Sequence, residues 1–214
     1  GNVDIDATTG VTVQKGSQDA KILASQDVTV DTTGGDILVK DGSKVEAANG
    51  KVAANADGAV TISGTADVDA KTTIGLTAGT EVKVTENAQV NAGDAIMATA
   101  QGGDVTVDGS ADVTAGKGVT LTASKGVDVL GDATVKANGG DAVLTAQGED
   151  VKVTGDVAAS ANVTVNANTS VEVSEDGTVK AGADMTVKAP TITQNEGLIE
   201  AANAMSLDGN VHQN

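Results

Sequence analysis

The sequence predicts an all-β chain wound as a parallel β-helix, with three short strands to each coil and roughly nine to ten coils. Three observations carry this. The stretch GGDVTVDGSADVTAGKGVTLTA, Gly102 to Ala123, holds three short runs with apolar residues at every second position, parted by turns of Gly, Asp, Ser and Lys. The same triplet then recurs at a period of roughly 20 to 24 residues, within the range of solenoids. Finally, the chain has no Phe, Trp, Tyr or Cys, and no Arg. Large rings usually dominate a globular core, whereas a narrow bore lined by stacked small side chains does without them.

Taken in order, Val3, Ile5 and Ala7 read as the third strand of a coil, and they match NVTVNA at Asn162 to Ala167. Val11 and Val13 then form a first strand at the offset of Val171 and Val173, so the chain opens in mid-coil. The segments KGSQDAKILAS, DVTV and GGDILV follow as strands with longer turns. Their inward residues are Ala20, Ile22 and Ala24, then Val28 and Val30, then Ile37 and Val39. A one-residue slip would turn every one of these side chains over.

From Ser43 the repeat is regular. Val45 and Ala47 lead to Val52, Ala54 and Ala56, then Val60 and Ile62, and so on through Ile96, Ala98 and Ala100. In the unit beginning at Gly102, Val105 and Val107 face inward from the first strand, Ala111, Val113 and Ala115 from the second, and Val119, Leu121 and Ala123 from the third. Later coils repeat this with Val127 and Val129, with Val157, Ala159 and Ala161, and with Met185, Val187 and Ala189. One β-helix thus spans 1–214, with looser coils over 1–42, regular coils over 43–189 and an irregular last coil over 190–214. In that last part Pro190 falls at a strand end, where a missing amide donor is tolerable. Ile192 reads as out of phase with the preceding Val pair, and Ile199, Ala201, Met205 and Leu207 restore the repeat. The rod would be on the order of 45 Å long at a strand spacing of about 4.8 Å.

A formal charge of −17, from 30 acidic and 13 basic residues, opposes nucleic acid and anionic membrane surfaces, both of which require positive charge facing phosphates. Like charge of this size keeps copies of a chain apart in solution. No apolar run approaches the roughly 18 to 20 residues that span a bilayer. GNVDIDATTG has neither a basic segment nor a hydrophobic stretch and is not a secretory signal peptide. The chain is then cytosolic, already processed or cut from something longer, and its mid-coil opening favours the last two.

The units GGDVTVDGSADVTAGKGVTLTA and GKGVTLTASKGVDV resemble the haemagglutinin-type repeats of large secreted bacterial adhesins of the filamentous haemagglutinin family, exported by two-partner secretion. The resemblance covers nearly the whole chain, most clearly Ser43 to Ala189. It implies a right-handed helix forming a long fibre on the bacterial cell surface.

Candidate sites are few. Polysaccharide lyases and hydrolases on this fold use grooves lined with Asp, Lys, Arg or His. Here the outward residues of successive first strands are Thr61, Lys83, Thr106, Asp128, Lys152 and Glu172. This column of alternating charge suits cross-strand pairing better than catalysis. His212, the only histidine, lies close to the C-terminus with nothing to hold partners around it. Met185 and Met205 read as gap-filling bore residues. Asp recurs after Gly at Asp36, Asp94, Asp104 and Asp141, but the Gly-Gly-x-Gly-x-Asp repeat of calcium β-rolls is absent. These carboxylates read instead as acceptors for turn amides, as in Asx-turns, with weak calcium binding left open.

Thr77, Thr99, Thr122 and Thr145 form one outward column, and flat Thr arrays on β-solenoids can bind ice. The neighbouring column, Gly75, Met97, Thr120, Val143, Thr164 and Thr186, mixes sizes and polarity, so β-propensity accounts for the threonines.

The expectation is therefore a protein with no catalytic, cofactor or metal residues: a structural shaft segment of an extracellular bacterial adhesin or fibre. Its partners would be neighbouring coils of a longer chain or other copies of itself, head to tail, with host or bacterial surface glycans as further candidates. The alternatives are a subunit that polymerises head to tail into a filament, and a carbohydrate-binding or carbohydrate-cleaving β-helix.

Overall fold

Strict alternation of apolar and polar residues puts every second side chain of each strand into one narrow bore. The computed structural model describes residues 1–16 and 18–214; the strand segment KGSQDAKILAS includes Ser17, which lies outside the described residues. Among the described residues the chain is all β, a parallel solenoid of about ten turns that matches the expected right-handed parallel β-helix. Every strand-to-strand pairing is parallel and joins a strand to its equivalent one coil away, for instance Val105–Val107 to Val127–Val129 and Asp112–Ala115 to Thr134–Ala137. Three faces result, one for each strand of the coil. The second-strand face is a separate sheet of nine strands. The first and third faces join into one sheet through the long strands Met185–Asn195 and Met205–Gln213, which turn a corner without breaking.

Register stacks like on like. Val68, Val90, Val113, Val135, Val157 and Val179 form one inward column, with Ala70 through Ala181 beside it. Burial is almost complete along both: Val90 and Val135 are wholly enclosed. Alanine completes most inner corners because three walls converge there and leave no room for a larger side chain. Two residues past most first strands the backbone enters the left-handed region, at Gly109 (φ 76°) and also at Glu86 (φ 66°). A Cβ added to Gly109 would lie 3.0 Å from the Glu86 backbone. A glycine turn can therefore sit against a glutamate turn where two side-chain-bearing turns would collide.

Ile192 corrects the sequence reading. It pairs with Val171 and is fully buried, in phase with the Val column. Between Lys188 and Thr191 the register shifts, since Lys188 pairs with Asp208 but Thr191 with Asn210. Ala189 and Pro190 thus stand opposite Gly209 alone. This bulge absorbs the extra residue and puts Pro190 where no ladder amide is required. Met185 is buried as expected. Met205 stacks on it but is 42% exposed. Ala161 is only half-buried, in the corner before Val163.

The early coils are longer. Val3 pairs with Val28 and Val11 with Ile37, steps of 25 and 26 residues. Packing there is looser: a cavity of about 20 Å³ lies among Val13, Val39, Ile62 and their neighbours, with no polar lining. Such a space has nothing to hold a water. The buried hydroxyls of this region are satisfied by carbonyls, Ser43 donating to Val13 and Thr32 to Gly35. Val39 sits in the column between Val13 and Ile62. Val39→Ile should fill the void with one methyl group and keep β-branching. We expect a gain of about 1 kcal/mol in urea unfolding.

Candidate functional site

The outward side chains form straight ladders, since each coil repeats its predecessor's register. On the first face Thr61, Lys83, Thr106, Asp128, Lys152 and Glu172 do stand in one column, and His212 joins it above Thr193. The pairing expected along this column takes a different form. Lys83 bonds Glu81 of its own coil at 2.8 Å, and among the described residues Asp128, Lys152 and Glu172 form no ion pair. Asp128 is half-buried, and that burial holds its carboxyl above the usual carboxylate range, with Asp104, Asp150 and Glu149 adding to the rise and Lys152 opposing it.

The sign of its effect on stability follows. Ionising Asp128 is harder in the folded chain, so its contribution is whole below the unfolded value of 3.8 and is lost as pH rises through the raised value. Asp128→Asn should therefore raise the thermal midpoint at pH 7 and leave it unchanged near pH 3. Midpoints measured across that range check this.

A denser cluster lies on the second face. Lys44 pairs in register with Asp67 and Glu46 with Asp69. The Lys44 ammonium reaches Asp69 at 2.9 Å, Glu46 at 3.2 Å and Asp67 at 3.3 Å. Asp69, with Glu46 and Asp67, holds the ammonium well above the ordinary lysine range. Burial pushes the Asp67 carboxyl up, Asp69 pushes it further, and Lys44 pulls it down. One Asp67 oxygen, Oδ1, is buried without a hydrogen-bond partner. These four residues escaped the sequence reading, although KVEA and DVDA at matching offsets carry the signal. A lysine shared by three carboxylates is a local neutralising device on an acidic chain.

Of the four glycine-following aspartates expected to serve turn amides, Asp36, Asp104 and Asp141 accept amide hydrogen bonds, but from the next coil and not from their own turn. Asp36 accepts from the amide of Ala59 at 2.8 Å, Asp104 from Gly126 at 2.9 Å and Asp141 from Asn162 at 2.9 Å. Asn162 and Asp184 continue the last of these upward, accepting from the amides of Asp184 and Ala204. Each side-chain oxygen thereby satisfies an amide that strand pairing leaves free. Asp94 instead pairs with Lys117 at 2.7 Å. Among the described residues no three His, Cys, Asp or Glu side chains form a group that could hold a metal ion. No helix among them is long and apolar enough to cross a membrane.

The expected threonine column is present, Thr77, Thr99, Thr122 and Thr145 in direct register, flanked by Asn55 and Asn166.

Fold and surface together define a parallel β-solenoid with a ring-free core and side-chain ladders on its outside. No family model matches the chain, and neither a curated protein nor a solved structure matches it.

Proposed function

We propose that this chain is a non-enzymatic structural rod, a shaft segment of a secreted bacterial adhesin or surface fibre. The observation that carries the reading is the single apolar core running without interruption from Val13 to Ile192. Each coil buries its residues only against its neighbours, so length adds stability without new design, which is the property a shaft needs. The repeats GGDVTVDGSADVTAGKGVTLTA and GKGVTLTASKGVDV support the adhesin setting through their resemblance to haemagglutinin repeats. Asp36, Asp104 and Asp141 each hold the next coil at a corner, a use that suits a scaffold. In this reading the partners are adjoining coils of a longer chain, and the rod stands outside the cell.

Incubation with a panel of acidic and neutral polysaccharides tests it. The expected result is intact polymer in every case, with electron micrographs showing rods about 45 Å long. Cleavage that disappears in the Asp128→Ala, Lys152→Ala double variant would overturn the shaft reading in favour of an enzyme.

A further inference from the structure

Two Asn-Gly pairs occur in the chain, Asn49-Gly50 and Asn138-Gly139, each preceded by alanine. Both occupy the same corner of their coils, just past a second strand, Lys44–Ala47 in one case and Thr134–Ala137 in the other. In both the asparagine is exposed, and in neither does the glycine amide donate to a backbone carbonyl. Such a pair is chemically labile because glycine has no Cβ to obstruct its own nitrogen, which can then reach the carboxamide carbon one residue back.

The two corners are held differently. At the first, Asn49 Nδ2 donates to the Ser25 carbonyl at 2.9 Å and the amide of Lys51 donates to Asp27 at 3.0 Å. Gly50 between them is buried, and a Cβ on it would collide with the Asp27 carboxylate. Negative charge at that distance opposes loss of the glycine amide proton. At the second corner the Asn138 carboxamide, unlike that of Asn49, makes no hydrogen bond among the described residues. Gly139 is exposed and rests on the uncharged carbonyl of Gly116, and a further glycine, Gly140, follows it.

We propose that Asn138 is a site of self-modification, converted through a cyclic imide to aspartate and isoaspartate, and that the fold protects the same pair at Asn49. The Gly139 nitrogen, its proton lost to hydroxide, attacks Cγ of Asn138. The new C–N bond closes the imide ring, the Cγ–Nδ2 bond breaks, and Nδ2 takes a proton from water and leaves as ammonia. Water then adds to one of the two ring carbonyls. Opening at Cγ leaves aspartate in the original backbone, whereas opening at the main-chain carbonyl leaves isoaspartate, with the backbone running through the side chain. Each event consumes one water, releases one ammonia and adds one negative charge to the −17 of the chain. Asn138 lines a groove with Lys136, Ser160 and Lys180, so the new carboxylate forms beside cations on an otherwise acidic surface. On a shaft the change is a covalent mark of age. It goes beyond the shaft reading, which stands if the modification fails.

A time course of the full chain in mildly alkaline buffer, read by peptide mass mapping, tests it. Cleavage after lysine places Asn49 on the peptide 45–51 and Asn138 on 137–152. Asn138 should lose ammonia at least about fivefold faster than Asn49, the rate equivalent of the one hydrogen bond that holds the Asn49 carboxamide. Its product should contain isoaspartate alongside aspartate. In strong denaturant the two rates should converge, since the corner that shields Asn49 is gone. Asn138→Gln, at an exposed position, should remove the change from its peptide and keep the unfolding midpoint. Equal rates in the folded chain, or a faster Asn49, would overturn the proposal. So would a difference that persists in denaturant, which would assign it to the neighbouring residues alone, or a product of aspartate only, which would mean direct hydrolysis without the ring.

Discussion

Val113→Asp should abolish cooperative folding. Val113 is 2% exposed and stacked between Val90 and Val135, so the new carboxylate would lie in a bore that offers it no donor. The effective penalty for such a charge is several kcal/mol, against a typical total stability of about 5 to 15 kcal/mol. Protonation lessens the cost but leaves a polar group unpaired. Because a solenoid is held together by nearest-neighbour interfaces, the break in the middle of the rod should uncouple the coils on its two sides. One thermal transition would become two, and hydrogen exchange should show protection lost first around Val113. The neighbouring Thr114→Asp is the control. Thr114 points outward beside Lys136 and donates to Asp112 at 2.6 Å. Losing that bond and adding a nearby like charge should cost about 1 kcal/mol or less. Equal damage from the two substitutions would refute the inward phase.

Two deletions should differ as sharply. Val105 and Val127 are register partners, so removing residues 105 to 126 takes out one whole coil of 22 residues and joins Asp104 to Val127 in the place Val105 held. Every remaining strand keeps its face, and the shortened chain should fold cooperatively into a rod about 4.8 Å shorter. Removing 116 to 126, half as many residues, joins the end of a second strand at Ala115 directly to a first strand at Val127. The third strand of that coil is lost, and the strands beyond can regain their columns only by leaving a gap in one face. Unfolding measured by circular dichroism should be cooperative for the whole-coil deletion and lost for the half-coil one. A half-coil deletion as stable as the whole would mean that the coil is not the folding unit.

The sequence by itself determined the coil, the three faces and nearly all of the bore. A strand has a period of two and the bore admits only one set of faces, so the alternation of Val, Ala, Leu and Ile at Val68, Val113 or Leu144 admits one phase. The outward columns through Asp128 and Thr122 were legible for the same reason, since a fixed period carries register from coil to coil. Tertiary structure decided what happens where the period changes. Ile192 reads out of phase because Pro190 hides a bulge, and a bulge is a property of two paired strands that neither strand encodes alone. The partners of Asp36, Asp104 and Asp141 were likewise set by the next coil, because the amides they accept lie 21 to 23 residues away and reach them only once the coils stack. So were the three carboxylates around Lys44. Stacking converts residues a full coil apart into neighbours at about 4.8 Å, and side chains then choose among partners by reach and by charge.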